Sequence, residues 1–207
     1  MALILIVLTV FVLLLGSELW WRKHQLHGEF SRKFIHITVG SLVAFWPFFL
    51  SWRQIQLLSI AFLIVVVVSK YLHLFQAIHS VQRPTYGELY FALAVGIVPF
   101  ITHDKWIYMA ALLQMSLADG LAAIMGSRYG KQSYLVFGHT KSVVGTVTFF
   151  VVSLSILIGY IYLSGDDLSA LLILSVAAGA AVLENLAVRG LDNLLLPIMV
   201  AVILAKF

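Results

Sequence analysis

Apolar residues along the chain come in long unbroken runs, separated by short polar stretches that hold most of the charged residues. Runs of this length, with no period of two, argue for buried helices and against strands or the alternating segments of a membrane barrel. Eight runs can be delimited, at about Leu3–Trp20, Phe34–Leu50, Ile55–Ser69, Leu89–Thr102, Trp106–Met125, Val143–Ser164, Leu168–Ala187 and Leu194–Ala205. A bilayer-spanning helix takes roughly 20 residues. Most runs approach that length, and the short fourth or eighth could be a half-span. The pattern therefore predicts an all-α, polytopic integral membrane protein with about eight transmembrane helices. There is no repeat and no linker, so residues 1–207 read as a single transmembrane domain. The first run lacks a basic leading segment and a small-residue cleavage site, and reads as a span, not a secretory signal.

Composition narrows the class. Of 207 residues, 62% are hydrophobic and 11% charged, whereas soluble domains carry about a quarter charged residues. A soluble globular domain and a disordered chain are excluded on that ground. With no cysteine, disulfides, thiolate metal sites and cysteine nucleophiles are excluded too. The net charge of +4 matters less than its placement. Ten basic residues (Arg22, Lys23, Arg32, Lys33, Lys70, Arg83, Arg128, Lys131, Lys141 and Arg189) fall in alternate loops, and only Arg53, Lys105 and Lys206 fall in the others. Positive loops stay inside, so the N-terminus is expected outside and the basic face in the cytoplasm, at the cell membrane. Trp46, Trp52, Trp106, Tyr160 and Tyr162 fall at the predicted outer helix ends, as an aromatic belt would.

Ionisable residues inside spans are costly and need a partner or a task. Asp119, in Ala118-Asp119-Gly120, lies within the fifth run, and Ala122, Ala123 and Gly126 follow at helical spacing on the same face. Such a face either packs against another helix or lets an anion and its metal approach the backbone. Glu184 lies toward the end of the seventh run, and Asp192-Asn193 open the eighth. Three carboxylates at similar depth form an oxygen set suited to Mg²⁺. The plainer reading pairs each with a nearby cation such as Arg189. Basic residues gather on the same side. Arg32, Lys33 and His36 follow Glu29, Gly126-Ser127-Arg128-Tyr129-Gly130-Lys131 closes the fifth run, and Gly138-His139-Thr140-Lys141-Ser142 precedes the sixth, with Gly145 a turn further on. Glycines admit close backbone approach, and Lys or Arg offset phosphate charge. Three residues, not four, separate Gly126 from Gly130, and Gln132 follows Lys131, so this is not a Walker A loop. Arg22, Lys23, Lys70 and Arg83 read as ordinary positive-inside residues. His24, His27, His73, His79 and His103 show no metal-ligand spacing and read as interfacial.

Four blocks in order give these residues a resemblance. They are Glu29-x-x-Arg32-Lys33-x-x-His36 with Gly40; Ala118-Asp119-Gly120 with Ala122, Gly126, Gly130 and Lys131; Lys141-Ser142-x-x-Gly145-Thr146; and Glu184 followed by Asp192-Asn193-Leu194 and Pro197. Together they resemble the CTP-dependent lipid-alcohol kinases of the phytol, dolichol and yeast diacylglycerol type, which are themselves similar to membrane CDP-diacylglycerol synthases. Val144 departs from the pattern, standing where many members carry Glu. The resemblance implies CTP as phosphoryl donor and a membrane isoprenoid alcohol or diacylglycerol as acceptor. The expected site has Asp119 as metal ligand with help from Glu184 or Asp192, and His36 or a carboxylate as base. Arg32, Lys33, Arg128, Lys131, Lys141 and Asn193 would contact the nucleotide, cradled by Ser142, Gly126, Gly130 and Gly145. No nucleic-acid partner is implied. The small faces at Ala122/Gly126 and Ala177-Ala178-Gly179-Ala180-Ala181 could serve packing within the chain or in a homodimer. Rival readings are a cytidylyltransferase making a CDP-lipid, and a small lipid transporter or flippase, which the one-sided placement of the acids disfavours.

Overall fold

The computed structural model describes residues 2–24, 29–71 and 86–207. The side chains of Arg22, Lys23, His24, Glu29 and Lys70, and the residues His27, His73, His79 and Arg83, lie outside the described set. Each apolar run is a helix. In chain order these are α1 (Ala2–His24), α2 (Glu29–Ala44), α3 (Trp52–Tyr71), α4 (Gly87–Ile101), α5 (Lys105–Tyr129), α6 (Val143–Ser164), α7 (Ala170–Leu186) and α8 (Asp192–Leu204). The second run was expected to continue to Leu50, but α2 stops at Ala44 and a 3₁₀ turn, Trp46–Phe48, follows. Pro47 is the reason, because it has no N–H to bond the carbonyl four residues back and its ring crowds the preceding turn. Among the described residues two helices, α5 and α6, are long and apolar enough to cross a bilayer, and shorter apolar helical stretches lie in α1, α3, α4, α7 and α8. The surface is apolar as well as the core. Leu5, Phe11, Leu57, Ile64, Val147 and Val151 are all exposed, a coating that water does not tolerate over a large area but lipid does.

The central element is α5, which packs against α2, α6 and α8. Small residues on it (Ala110, Ala111, Ala118 and Ala122) are buried and bring neighbouring backbones close. Its start is capped by Asp104, whose Oδ1 accepts from the backbone of Trp106 (2.7 Å) and Ile107 (3.0 Å). Glycines mark two tight crossings. A Cβ at Gly40 would overlap Ser116 and one at Gly120 would overlap Ile37, which locks α2 onto α5. A Cβ at Gly126 would stand 2.7 Å from Ser142 Oγ and 3.2 Å from the Gly145 Cα, which locks α5 onto α6.

One element is not anticipated by the apolar runs. Between α5 and α6 the chain forms an antiparallel hairpin of β1 (Ser133–Val136) and β2 (His139–Ser142), in register from Ser133 opposite Ser142 to Val136 opposite His139. Its two-residue turn, Phe137-Gly138, has φ of 47° and 79°, the double left-handed conformation of a type I′ turn. A network ties the hairpin down: the Tyr134 hydroxyl contacts Thr146 and donates to Asn185 Oδ1 at 2.6 Å, and Thr146 Oγ1 donates to the same oxygen at 3.1 Å. The aromatic residues expected at outer helix ends behave in two ways. Trp106 packs edge-on against Phe48 (4.8 Å) and Trp52 against Tyr108 (5.7 Å), while Trp46 and Tyr160 are buried and Tyr162 is exposed. The small-residue stretch of α7 divides likewise, with Ala177, Ala180 and Ala181 packed inside and Ala178 and Gly179 facing outward.

Candidate active site

Four residues of α2, Lys33, His36, Ile37 and Gly40, recur at helical spacing and form the stripe that meets α5. Because the Gly40 and Gly120 crossings hold the helices close, the polar members of the stripe reach α5 directly. The Lys33 Nζ donates to Asp119 Oδ2 at 2.5 Å. The His36 Nε2 lies 3.0 Å from the Met115 carbonyl and 3.7 Å from Asp119 Oδ2. A carbonyl can only accept, so that contact puts the proton on Nε2 and leaves Nδ1 as an acceptor. The Met115 carbonyl lies in a π-helical turn, Gln114–Ala118, immediately before Asp119. Such turns widen a helix and occur often at functional sites. Here the turn sets the direction of Asp119, whose backbone N–H bonds back to the Gln114 carbonyl.

A second ion pair faces the first. Lys141, on β2, donates to Glu184 Oε1 at 2.5 Å and to the Glu184 carbonyl at 3.1 Å. Burial alone would lower the Lys141 pKa. The charge and hydrogen bond of Glu184, with Asp192 and Asp119 further off, outweigh burial and hold the ammonium above the usual lysine range. The lysines, not Arg189, therefore pair the two buried carboxylates. Ser142 caps α6, its Oγ accepting from the Gly145 N–H at 3.1 Å. Asn193 is buried, and its Nδ2 donates to the Gly87 carbonyl at 3.0 Å, tying α8 to the start of α4. Pro197, four residues on, has no N–H to offer the Asn193 carbonyl.

These groups surround one cavity of about 610 Å³, within the range of small-molecule sites. Asp119, Ala122, Ala123 and Gly126, from a single face of α5, and Gly130 just past its end form one wall. Lys33 and Arg32 come from α2, Lys141 and Ser142 from β2, Gly145 from α6, Glu184 from α7, and Asp192 and Asn193 from α8. The glycines thus serve both readings set out above, since they pack α5 on α6 and keep the cavity wall bare. Of the residues singled out in the sequence, Arg128 and Lys131 are exposed and do not line the cavity. His36 lines a neighbouring cleft instead.

Among the described residues, no group of three or more His, Asp or Glu side chains is close enough to hold a metal unaided. Mg²⁺ does not require one, since it commonly takes one or two carboxylates, with waters and substrate phosphates completing the shell. Asp192 carries no ion pair among the described residues, and with Asp119 and Glu184 it lines the same cavity, so the donor chemistry suits that ion. Glu88, at the start of α4, was not singled out in the sequence. It is an acid at the edge of an apolar run, so the rule that drew attention to Asp119 reaches it as well. Tyr134 and Asn185 were also missed, because only the hairpin brings them together.

No protein-family model matches the chain, and no solved structure matches it. Curated proteins are similar to it. A phytol kinase of Synechocystis sp. is 33% identical over 196 residues, covering 91% of this chain and 84% of the relative. A probable chloroplastic phytol kinase of Triticum aestivum is 29% identical over 201 residues, covering 85% of this chain and 66% of the relative. The first alignment covers nine-tenths of this chain and most of the relative, and on that extent of shared sequence the chain belongs to the phytol kinase family.

Proposed function

We propose that the protein is a lipid-alcohol kinase of the phytol kinase type. It would transfer the γ-phosphoryl group of CTP to a membrane isoprenoid alcohol at the cytoplasmic face of the cell membrane. The observation that carries the reading is the 610 Å³ cavity in which cations, carboxylates and bare glycine backbone converge at one end of an apolar bundle. Phosphoryl transfer needs alignment and charge stabilisation more than covalent chemistry from the protein, and this cavity supplies both. Lys33, Lys141 and Arg32 offset the charge of the triphosphate. The Ser142 hydroxyl donates to its oxygens, the bare backbone at Gly126, Gly130 and Gly145 leaves room for them, and Asn193 closes the α8 side. Asp119, with Glu184 or Asp192, would hold Mg²⁺, which would offset the charge that develops on the phosphate oxygens. The hydroxyl proton has two kinds of taker at this end of the bundle, His36 and a carboxylate. The basic loops on this side support a cytoplasmic orientation through the positive-inside rule, with the N-terminus outside and about eight spans.

The test is a turnover screen of lipid alcohols with labelled CTP and ATP in parallel, using the purified protein in lipid nanodiscs. The expected products are a lipid monophosphate and CDP. A CDP-lipid with pyrophosphate would identify a cytidylyltransferase instead, and lipid movement without nucleotide would identify a transporter.

A further inference from the structure

Beside the large cavity lies a smaller cleft of about 60 Å³, and the two share Arg32 and Asn193 as lining residues. The cleft is apolar for most of its wall, with Leu14 from α1, Ile35 and Val39 from α2, Phe62 from α3 and Phe91 from α4. The aromatic side is continuous. Phe62 meets Phe91 edge-on at 5.9 Å, and Phe91 meets the His36 ring at 5.5 Å. The polar lining groups are Arg32, His36, Glu88 and Asn193, of which Arg32 and Asn193 are shared with the large cavity; Glu88 precedes Phe91 by three residues on α4, and Asn193, which opens α8, donates to the carbonyl of Gly87 next to it. Glu88 Oε1 and Asn193 Oδ1 are buried there with no donor among the described residues. A buried acceptor left unpaired is costly, and two at one end of an apolar cleft call for a ligand that brings a donor on an apolar body.

We propose that this cleft is the acceptor subsite, taking the hydroxyl-bearing head of a single-chain prenyl alcohol, with Glu88 receiving the hydroxyl. The inference rests on the lipid-alcohol kinase reading and deepens it. One water-sized group needs about 10–15 Å³ of such volume. The cleft therefore holds roughly four to six carbon-sized groups, about one head isoprene unit. That size favours a slender prenyl alcohol over diacylglycerol, whose hydroxyl carbon adjoins an ester-bearing branch. The aromatic wall suits the flat double bond of an allylic head. The shared residues Arg32 and Asn193 set the hydroxyl against the end of the triphosphate. In the transfer, a bond forms between the alcohol oxygen and the γ-phosphorus. The bond from that phosphorus to the β–γ bridging oxygen breaks, and its electron pair leaves with the nucleoside diphosphate. The hydroxyl proton passes to Glu88, and His36 acts as a positioning residue between the Met115 carbonyl and Asp119.

The experiment compares wild type, Glu88→Gln and Val39→Phe in nanodiscs, with phytol and diacylglycerol as acceptors and a fluorescent CTP analogue to read nucleotide binding. Glu88→Gln is expected to lower kcat by about 100-fold or more, the range for loss of a general base, with nucleotide binding unchanged. Val39→Phe fills the cleft and is expected to raise KM for phytol at least tenfold (about 1.4 kcal/mol), again with nucleotide binding unchanged. A diazirine-bearing prenyl alcohol, photolysed on the wild-type protein, should label peptides containing Val39, Phe62 or Phe91, and this readout stands even if a variant fails to fold. The proposal is overturned if Glu88→Gln keeps kcat within threefold of wild type, if folded Val39→Phe keeps its phytol KM, or if the probe labels only other helices. A wild-type protein that phosphorylates no lipid alcohol would sink the kinase reading itself, an outcome visible before any substitution is made. Efficient use of diacylglycerol but not phytol would overturn the subsite while leaving the kinase reading intact.

Discussion

Replacing Lys33 with Met keeps the length of the side chain and removes the cation that faces Asp119 at 2.5 Å. Both partners are almost fully enclosed, with side-chain exposures of 9% and 4%, so the change strands a carboxylate in a low-dielectric interior. Breaking a buried pair by removing one partner costs about 3–5 kcal/mol. The pair lines the large cavity, from which water can reach the stranded carboxylate, and this favours the lower end, about 3 kcal/mol. For a chain of this size each kcal/mol shifts Tm by roughly 2–4 °C, so Lys33→Met should melt roughly 6–12 °C below wild type. Asp119→Asn strands Lys33 and should fall by a similar amount. The double variant leaves no charge unpaired and should recover most of the loss while remaining inactive. The five tryptophans report unfolding in detergent by intrinsic fluorescence, and because the chain has no cysteine, a thiol-reactive dye would have nothing to label. Single variants that melt within about 2 °C of wild type would refute a buried, mutually dependent pair. A double variant less stable than either single would refute the coupling. Near-normal turnover by Asp119→Asn would refute the place given to Asp119 in the chemistry.

Three further outcomes follow from the geometry. Gly126→Val puts side-chain atoms where a Cβ alone would stand 2.7 Å from Ser142 Oγ; overpacking of about 1–3 kcal/mol should lower Tm and nucleotide affinity together, and unchanged values in melting and nucleotide titration would mean that α5 and α6 do not cross so tightly. Asp104→Ala removes the α5 cap at the opposite end from the cavity and should cost about 1 kcal/mol in a melting experiment with turnover unchanged, so a loss of turnover would contradict a site confined to one end. The Lys141 pKa is raised by Glu184, so its tie to α7 contributes stability below the ordinary lysine value of 10.5 and loses it as pH rises through the raised value. Tm of wild type should therefore carry an alkaline fall above about pH 10.5 that Lys141→Met lacks, and parallel curves for the two proteins would refute the assignment.

Much of this was legible along the chain. Unbroken apolar runs placed eight helices because a helix satisfies its own backbone hydrogen bonds, so its existence depends on local sequence more than on neighbours. Asp119, Glu184 and Asp192 stood out because charge is scarce in such a chain, and all three line one cavity. The hairpin was not legible. Its strands are four residues each, the turn is Phe-Gly where Asn-Gly would have announced it, and it is held by Tyr134, Thr146 and Asn185, which lie far apart in sequence. Arg128 and Lys131 looked like their neighbours in a basic cluster, but the helical face that carries Gly126 and Gly130 turns them away from the cavity.

The sequence by itself therefore determined the helical class, the apolar exterior and the short list of groups capable of phosphate chemistry, since each is a property of composition and local period. Only the tertiary structure decided which of those groups meet. It paired Lys33 with Asp119 and Lys141 with Glu184, where sequence proximity pointed to Arg189, because contacts between helices depend on crossing geometry set by Gly40, Gly120, Gly126 and Gly145. It also placed Glu88 beside Asn193 at the head of an apolar cleft, a relation between residues 105 positions apart. No local rule predicts that relation, because it arises when two helix starts are packed side by side.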